Sequence, residues 1–408
     1  MNILYIPVQT PWSKGETFIL EEMIEIKRQG VDLLIIPRNP SKEIFHGQAK
    51  ELVDNALWLP LVTTKMIVVF FKSLLVRNSL WKILGFLIRY SRNPWIFIKN
   101  SVILLKGVYI ANKIPKVKVS HIHAHWGSTT ATMAYVISQL TGIPWSFTLH
   151  RWDIRENNML AEKIKSAKFV RCISEDGKNK LLQIIGMEFK DKIKVIHMGV
   201  KIPTNVSGLL FKEKEYFKIV TPANFLPVKG HIYLIESCLI LIKKKIINFQ
   251  CIFYGEGSMK NKLEELVERE SLNNYIKMPG MIPHEKLMQM YENNEVDIVI
   301  LPSITTKNGE HEGIPVSLME AMAYCIPVIS TNTGGIPELL SNNSGITVQE
   351  KNPEQLAVAI EKLIINKKLR EKIGKHGYKK VYKEYNIQKS VKKISNLFEL
   401  YFYNKSER

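Results

Sequence analysis

Short apolar runs that favour β-strands alternate along nearly the whole chain with segments of helical periodicity. Runs of the first kind in the first half are Ile3–Pro7, Asp32–Pro37, His121–His125, Trp145–Leu149, Phe169–Ile173 and Lys194–His197. Those in the second half are Lys218–Thr221, Gln250–Tyr254, Ile276–Met278, Asp297–Leu301, Pro327–Ser330 and Gly345–Val348. Apolar positions recur every three or four residues between them, as in Thr17–Arg28, Ala161–Ser166, His231–Lys244, Met259–Arg269 and Pro353–Ile365. This alternation predicts an α/β protein with two parallel sheets, each covered by helices on both faces.

The length and one break in the pattern predict two domains. A chain of 408 residues exceeds the roughly 250–300 residues that a single core supports. The segment Pro203–Leu210 has turn composition and no periodicity, so we predict domains 1–204 and 205–387 with the boundary there. A last helical stretch, about 388–408, follows the second domain without a strand and could pack on the first domain.

Residues 66–110 depart from the alternation. They are rich in apolar and aromatic residues, but a Lys or Arg interrupts them every three to seven residues. No run therefore reaches the roughly 20 uninterrupted apolar residues that span a bilayer. Amphipathic helices with Trp81, Phe86, Trp95 and Phe97 near cations are typical of a segment that lies on a membrane surface. The alternative is a set of core helices whose Lys and Arg side chains extend to water.

Positive charge is concentrated in the same part of the chain. The sequence has 57 Lys and Arg against 38 Asp and Glu, a formal net charge of +19. No acidic residue lies between Asp54 and Asp153, whereas Lys65 through Lys118 supply eleven cations. Such a patch requires an anionic partner, which could be nucleic acid, a phospholipid surface or a phosphorylated substrate.

The cysteines and the N-terminus bear on the cellular compartment. The four cysteines lie far apart and form no C-x-x-C pair, which argues against a structural zinc or a disulfide framework and fits a reducing cytosol. The first residues, MNILYIPVQT, lack the basic region, apolar core and cleavage site of a signal peptide. We therefore expect a cytoplasmic protein.

The segment EHEGIPVSLMEAMAYCIPVISTNTGGIPELL, residues 310–340, contains the most informative candidate site. Pro315 suits the first turn of a helix, whose free N–H groups would attract an anion. Gly313 would let a ligand approach the backbone closely. Glu312 before the helix and Glu320 within it could accept hydrogen bonds from hydroxyl groups on either side of a phosphate, as a nucleotide sugar presents them. For two glutamates taken alone, a capping residue and a solvated helix position are the alternative.

This segment resembles the E-x7-E region of retaining glycosyltransferases with the GT-B architecture, family 4. The bacterial members that it resembles build exopolysaccharide, capsule or lipopolysaccharide, as the colanic-acid transferases do. The resemblance continues at PWSKGETFILEEM, HIHAHW, SFTLHRWDI, IKVIHMGV, VTPANFLPVKGH and FYGEG, so it covers nearly the whole chain. It implies two Rossmann-like domains facing a central cleft, with the donor in the C-terminal domain and the acceptor against the N-terminal domain.

For the donor, the resemblance implies that Glu312 contacts the transferred sugar and Glu320 the ribose. The backbone of Gly313, Ile314 and Pro315 would line the sugar and the phosphate.

Lys229 matches the family's diphosphate-binding lysine, and its charge would neutralise the leaving diphosphate. Asn224 stands where many members have Arg, so it would act as a neutral donor beside Lys229. Gly255 and Gly280 lie in strand-end turns that resemble the wall around the nucleotide base, for which ordinary turns are the alternative.

The N-terminal domain supplies the acceptor side. His150 ends a predicted strand, where ligands bind in open α/β sheets, and the resemblance implies that it faces the transferred sugar. We therefore predict His150, Glu312 and Lys229 as the catalytic residues. Arg151 and Asp153 in the same loop could touch the acceptor or the sugar. Gly15 lies at the first strand–helix connection, where the family often has a Gly-Gly pair.

Three histidines, His121, His123 and His125, alternate along one strand and so share one face. That spacing could suggest a metal site, but one strand rarely presents three convergent ligands, and no carboxylate is adjacent. We predict strand packing, with His125 at the rim of the cleft on the acceptor side, and no metal.

Other classes of protein fit the sequence less well. The first strand is not followed by G-x-G-x-x-G, and no Walker A loop is present, which argues against a dehydrogenase and an ATPase. A sugar-nucleotide epimerase of the same architecture and a basic nucleic-acid-binding protein stay open as alternatives, although no nucleic-acid-binding motif is present.

Together these observations predict a hexosyltransferase for bacterial surface polysaccharide. Its donor would be a nucleotide sugar, taken as UDP-linked, and its acceptor a saccharide or lipid-linked saccharide. We expect no metal or other cofactor and no nucleic-acid partner. The protein should lie in the cytoplasm, peripherally associated with the anionic inner face of the cell membrane.

Overall fold

The chain divides into two compact units. The computed structural model describes residues 1–13, 15–114, 119–204 and 216–403. Unit 1 consists of Met1–Gly199 with Ile387–Arg408, and unit 2 of Val200–Asn386. The division at Gly199 therefore comes five residues before the boundary predicted at 204, and residues 205–210 of the predicted linker lie outside the described residues.

Unit 1 contains a six-stranded parallel sheet in the order β2-β1-β3-β4-β5-β6. Its strands are β1 (Asn2–Ile6), β2 (Asp32–Ile35), β3 (His121–His125), β4 (Trp145–Leu149), β5 (Val170–Cys172) and β6 (Ile193–Val195). Every residue of β3, β4 and β5 is buried, as expected for strands covered by helices on both faces.

Unit 2 contains a second six-stranded parallel sheet in the order β12-β11-β10-β7-β8-β9. Its strands are β7 (Phe217–Pro222), β8 (Phe249–Tyr254), β9 (Ile276–Gly280), β10 (Ile298–Leu301), β11 (Val328–Thr331) and β12 (Ile346–Val348). Each predicted strand overlaps one of the observed strands, so the predicted pair of parallel α/β sheets is confirmed.

Helices fill the connections in both units. Those of unit 1 are α1 (Thr17–Arg28), α2 (Lys50–Val53), α3 (Thr64–Val76), α4 (Asn78–Tyr90), α5 (Pro94–Lys113), α6 (Thr129–Thr141), α7 (Arg151–Glu156), α8 (Leu160–Ser166), α9 (Glu175–Ile185) and α17 (Ile387–Tyr403). Those of unit 2 are α10 (His231–Lys243), α11 (Lys260–Arg269), α12 (His284–Glu292), α13 (Val316–Ala323), α14 (Ile336–Leu340), α15 (Pro353–Ile365) and α16 (Lys367–Glu384).

Local sequence explains where several helices begin. The Asn93 side chain accepts a hydrogen bond from the Ile96 N–H, and Pro94 occupies the first turn of α5. Asn352 caps α15 in the same way, with Pro353 in its first turn. Both arrangements satisfy an N–H group that a helix start leaves free, and the proline removes another.

The last helix, α17, belongs to unit 1 although it follows unit 2 in the sequence. Val391, Ile394 and Phe398 are fully buried, and α17 packs against α1. The Phe398 ring lies 5.3 Å from the ring of His121 and 5.2 Å from that of His123, between centroids. The helix therefore covers one face of the first sheet.

Helices α3, α4 and α5 form the segment that departs from the sequence pattern. In the part of the chain that the structure describes, α5 is long and apolar enough, by length and composition, to cross a membrane. Lys99 and Lys106 nevertheless interrupt it, and half of its most apolar window is buried inside the protein. Because α5 packs mainly on α6, it is a core helix of unit 1.

Both sheets reverse their strand order near the centre. In unit 1 the reversal lies between β1 and β3, and in unit 2 between β7 and β10. At such a point the loops that leave the carboxyl ends of the two strands run to opposite sides of the sheet, which opens a crevice where ligands bind in α/β folds. Each unit therefore has one favoured place for a site.

Candidate active site

In unit 2, Lys229 and Glu312 meet at the reversal point. Lys229 ends a 3-10 turn in the loop after β7, and Glu312 lies in the loop after β10. The Lys229 Nζ donates to Glu312 Oε2 over 2.6 Å, and both side chains are largely buried. The Ser303 hydroxyl donates to the same carboxylate oxygen over 3.4 Å. The structure thus brings together two of the three predicted catalytic residues.

Two glycines allow these loops to approach other backbone segments closely. Gly230 has a φ of 66°, and a Cβ built there would lie 2.0 Å from the Pro302 carbonyl oxygen. Gly334, with a φ of 58°, would place a Cβ 1.8 Å from the Glu312 carbonyl oxygen. The Gly-Gly turn after β11 therefore rests directly on the backbone of Glu312, which no other residue type would permit.

The loop that contains Gly313, Ile314 and Pro315 leads directly into α13. Pro315 has extended backbone angles and is the N-cap, so the helix begins at Val316, one residue later than the sequence suggested. Pro315 has no side-chain donor or acceptor, so it leaves the first N–H groups of α13 without a side-chain cap.

Glu320 lies inside α13, as predicted, and contacts a residue that the sequence did not indicate. Its Oε1 lies 2.8 Å from the His284 Nε2, at the start of α12. His284 is 36 residues away and belongs to no recognised pattern, so no local signal pointed to this pair.

The remaining predicted donor residues lie at or just after the ends of neighbouring strands. The Gly255 N–H donates to the Gly280 carbonyl oxygen over 3.0 Å, which joins the turn after β8 to the end of β9. A Cβ on Gly255 would lie 2.2 Å from the Ala223 carbonyl oxygen, so the turn after β8 also touches the loop after β7. In that loop Asn224 is exposed.

In unit 1, a chain of buried polar side chains ends at His150, directly after β4. Arg171 Nη1 donates to Glu22 Oε2 over 2.6 Å, and the Tyr5 hydroxyl lies 3.0 Å from Glu22 Oε1. The same hydroxyl lies 2.7 Å from His125 Nδ1, and His125 Nε2 lies 2.9 Å from His150 Nε2. All five side chains are buried.

The ion pair at one end of this series of side chains determines which group donates and which accepts at each hydrogen bond. The Glu22 carboxylate is paired with Arg171 and can only accept, so the Tyr5 hydroxyl donates to it. Tyr5 then accepts from the His125 Nδ1–H, which leaves His125 Nε2 without a proton. The proton between the two rings must therefore belong to His150 Nε2.

Burial keeps both imidazoles neutral. Desolvation, helped by the charge of Arg171, lowers the pKa of His150 to about 3. Desolvation also lowers the pKa of His125 well below its ordinary value, and His150 and Arg171 lower it further. With both rings neutral, the His150 Nε2–H can donate to the unprotonated His125 Nε2, which accounts for the 2.9 Å between these two atoms. His125 is thus fully buried behind His150, and its place on the acceptor side stays a prediction.

The residues after His150 begin α7. The His150 N–H donates to Asp153 Oδ2 over 2.9 Å, so the Asp153 carboxylate caps the helix. Burial raises the pKa of Asp153 to about 7, although hydrogen bonds from the His150 and Gly127 backbone oppose that rise. Arg151 lies over the Trp152 ring, 4.9 Å from its centroid. Asp153 therefore caps α7, whereas the sequence suggested only that it could touch the acceptor or the sugar.

The loop after β1 is organised by Glu16, next to the predicted Gly15. Glu16 Oε2 accepts from the N–H groups of Gln9 and Thr10 and from the Thr10 hydroxyl, and Glu16 Oε1 accepts from the Trp126 Nε1–H. Gly15 is exposed, and a Cβ there would meet nothing within 4 Å. The conformation of the loop therefore depends on the hydrogen bonds of Glu16 and does not require a glycine at position 15.

Trp126 connects this loop to His150. Its ring stacks on the His150 ring with centroids 4.2 Å apart. A cavity of about 550 Å³ opens beside Trp126 and is also lined by Val8, Trp152 and Glu156. A larger cavity of about 750 Å³ in unit 2 lies by β12, α15 and α16 and includes none of the predicted site residues.

His121 and His123 pack within the sheet. His121 Nε2 and His123 Nδ1 lie 2.7 and 2.8 Å from the Ser146 hydroxyl, and His123 Nε2 lies 3.0 Å from the Thr148 hydroxyl. Among the described residues, no group of three or more His, Cys, Asp or Glu is arranged to hold a metal ion. The alternation of histidines along β3 thus reflects hydrogen bonds to β4.

The buried ion pair of Glu22 and Arg171 was not predicted from the sequence. Arg171 is a charged residue in the middle of the apolar strand β5, and its guanidinium also donates to the carbonyl oxygens of Ile196 and His197. A cation inside an apolar strand requires a buried anionic partner, which was the available signal.

Solved structures of other proteins share this fold. Two parallel six-stranded α/β units form the GT-B architecture, and solved glycosyltransferases share it. A glycosyltransferase from Rickettsia africae ESF-5 matches with a TM-score of 0.71 and 22% identity over 99% of each chain. Alr3699/HepE of Anabaena, solved in complex with UDP-glucose, matches with a TM-score of 0.70 and 15% identity over 98% of this chain and 99% of that one. At these identities the similarity shows the fold.

Sequence comparison finds a family match in the second half of the chain. Residues 207–380, which make up most of unit 2, match the family described as glycosyl transferases group 1. The chain is 32% identical over 211 residues to the putative colanic acid biosynthesis glycosyltransferase WcaL of Salmonella typhimurium. This alignment covers 51% of each chain. The match thus spans about half the length of that curated relative. These findings confirm the resemblance to GT-B glycosyltransferases similar to the colanic-acid enzymes.

Proposed function

We propose that this chain is a retaining glycosyltransferase of bacterial surface polysaccharide biosynthesis. It transfers a hexose from a UDP-linked nucleotide sugar to a saccharide or lipid-linked saccharide. The observation that carries the proposal is the contact of Lys229 with Glu312 at the reversal point of unit 2, inside the region that matches the glycosyl transferases group 1 family. The UDP-glucose complex of Alr3699/HepE supports the choice of donor.

The site offers the groups that a nucleotide-sugar donor requires. Lys229 supplies positive charge for the diphosphate, and the uncapped N–H groups at the start of α13 add to it. The Glu312 carboxylate accepts from hydroxyl groups of the sugar and Glu320 from those of the ribose. We propose that this charge suffices without a metal ion, so EDTA should leave turnover unchanged.

The reaction exchanges one bond at the anomeric carbon for another on the same face. The bond to the diphosphate oxygen breaks as the acceptor hydroxyl oxygen bonds to that carbon. The hydroxyl proton passes to the departing phosphate oxygen, so no enzyme nucleophile is needed. Lys229 stabilises the charge that develops on the leaving group, which is where fixed charge accelerates such a step.

A donor screen tests the proposal. The purified chain would be heated with UDP-, GDP- and ADP-linked sugars, and each donor would be assayed for hydrolysis and for transfer. We expect a UDP-hexose to raise the melting temperature and to be consumed. The product should keep the donor's anomeric configuration, as read by proton NMR.

Product analysis separates this function from its alternatives. An altered nucleotide sugar without loss of UDP would indicate an epimerase instead. Failure of every nucleotide sugar to stabilise the protein or to be consumed, with an acceptor mixture present, would overturn the proposal.

A further inference from the structure

Helices α3, α4 and the start of α5 expose an unusual number of large apolar side chains. Leu75 is 87% exposed and Val76 79% exposed, at the end of α3. Others are Val68, Phe71, Trp81, Ile88, Trp95 and Ile98, whereas Ile67 is less exposed. Single exposed apolar residues are ordinary in proteins, but a contiguous group marks a surface that contacts something other than water. We refer to these eight residues as the apolar face.

Within α3 and α4, the residues of the apolar face follow helical spacing. On α3, Val68, Phe71 and Leu75 follow the three- and four-residue spacing of a single helix face. On α4, Trp81 and Ile88 are seven residues apart and so lie on one face as well. The Trp81 Nε1–H donates to the Leu74 carbonyl oxygen over 3.1 Å, which holds the start of α4 against the end of α3. Trp81 therefore lies next to the most exposed residues of α3.

The opposite faces of these helices are fixed in the core. Met66 and Ser73 of α3 are buried, as are Leu80, Ile83 and Leu87 of α4. The apolar face therefore cannot turn inward without removing these residues from the core of unit 1.

Exposed cations accompany the apolar face, and at its α5 end Lys99 pairs with Glu156 over 3.1 Å. Lys72 on α3 and Lys82 on α4 are exposed, as is Arg92 just before α5. None of the three has a carboxylate partner among the described residues, and no Asp or Glu occurs between Asp54 and Asp153. Exposed Trp and Phe side chains interspersed with Lys and Arg are suited to the boundary between lipid headgroups and acyl chains.

We propose that the apolar face and its cations dock on the surface of an anionic lipid bilayer. A second copy of the chain is a poorer partner, because a symmetric contact would bring these cations against each other. Docking does not require a spanning helix. Lys106 of α5 donates to the carbonyl oxygens of Pro37 and Leu59, which anchors that helix inside unit 1. The proposal uses none of the residues assigned to glycosyl transfer and stands apart from it.

Vesicle sedimentation of the full-length chain tests the proposal with a matched pair of double variants. Leu75→Ser with Lys72→Gln removes one exposed apolar residue and one cation from the apolar face. Ile365→Ser with Lys368→Gln makes the same kind of change, at the same spacing, in unit 2, where Ile365 is 74% exposed. All four positions are exposed, so neither variant should affect folding.

Wild-type protein should sediment with vesicles of phosphatidylglycerol and phosphatidylcholine but not with phosphatidylcholine alone. High salt should release it, because exposed charges are screened. The α3 variant should bind about tenfold more weakly, since each cation and each buried apolar group contributes several-fold. The unit 2 variant should bind as wild type does.

Equal binding of both variants would overturn the proposal, as would failure of the wild type to sediment with anionic vesicles. So would a concentration-dependent dimer that only the α3 variant abolishes, because a second copy would then occupy the face. Loss of nucleotide-sugar turnover in solution would not bear on it, which keeps this test separate from that of the proposed function.

Discussion

Lys229 and Glu312 lie 83 residues apart in the sequence and are joined by a 2.6 Å contact between Nζ and Oε2. They come from the loops after β7 and β10, the two strands between which the order of the second sheet reverses. A diphosphate that binds Lys229 would replace or share its carboxylate partner. The pair therefore keeps the cation in place before an anionic ligand arrives.

The first prediction concerns this pair. Lys229→Ala and Glu312→Ala should each lower turnover about 100-fold, roughly 2.7 kcal/mol of transition-state stabilisation, because each removes a group that the developing charge or the sugar contacts. Steady-state kinetics on the UDP-hexose found in the donor screen would measure this.

The matched control is Lys244→Ala, whose partner Glu361 lies 2.8 Å away on the surface of the same unit. It should leave turnover unchanged, since it removes only a surface ion pair. Near-wild-type rates in both site variants would contradict the assignment.

The second prediction concerns the buried pair of Glu22 and Arg171. Glu22→Gln keeps the shape of the side chain but leaves the guanidinium without an anion, so the free energy of unfolding should fall by about 3–5 kcal/mol. Glu51→Gln makes the same change in a surface pair with Arg28 and should cost less than about 1 kcal/mol. Urea unfolding of the two variants would compare them, and equal midpoints would contradict a buried charge pair.

The third prediction concerns the proton between His125 and His150. Nitrogen-15 NMR of the imidazoles should find the proton of His150 on Nε2 and that of His125 on Nδ1. Neither ring should take up a second proton between pH 5 and 8, because burial lowers the pKa of both. A protonated His125 Nε2, or a change of either ring with pH in this range, would show that the Tyr5 hydroxyl does not set the order.

The fourth prediction concerns the pH dependence of stability. Burial raises the pKa of Asp153 from its ordinary value of 3.8 to about 7, so the folded state binds this proton more tightly than the unfolded state. Its stabilising contribution is complete below about pH 4 and is lost as the pH rises through 7. A pKa change of this size corresponds to at most about 4 kcal/mol.

Asp153→Asn should remove this dependence, and the urea midpoint should then fall less between pH 4.5 and 7.5 than it does in the wild type. Asp176→Asn, at a surface pair with Lys180, should leave the wild-type dependence intact. Parallel curves for Asp153→Asn and wild type would contradict the prediction.

The fifth prediction separates the energetic cost of a positive φ angle from that of a steric clash at the Gly-Gly turn. Gly334 and Gly309 both have positive φ angles, but a Cβ meets backbone only at Gly334. Gly309→Ala should therefore cost only about 1–2 kcal/mol for its backbone conformation. Gly334→Ala should cost more and also lower turnover, because it displaces the backbone of Glu312. Equal effects on stability and turnover would show that the close approach does not matter.

Local patterns predicted the strands well. The bounds of β3 and β4 agree with the prediction, since each is a buried apolar run between clear turn signals. The position of Glu312 in a loop and of Glu320 in a helix also followed from sequence, because Pro315 and Gly313 mark the junction.

Contacts between distant elements could not be predicted in this way. The pairing of Glu320 with His284, and of Glu22 with Arg171, depends on how helices pack against strands far away in sequence. The burial of His125 was missed because alternation along β3 shows which residues share a face, but not what covers that face. Hydrophobic periodicity therefore predicted the two sheets and left the partners of the buried polar groups undetermined.

The return of α17 to unit 1 sets an order for synthesis. The ribosome releases the strands of the first sheet early, then all of unit 2, and only afterwards the residues that follow Asn386. Until Val391, Ile394 and Phe398 emerge, the face of the first sheet that they cover is open to water. The nascent chain must therefore keep an apolar surface from aggregating while 187 residues of the other unit are made. This interval is the stage at which a chaperone would be most useful to the protein.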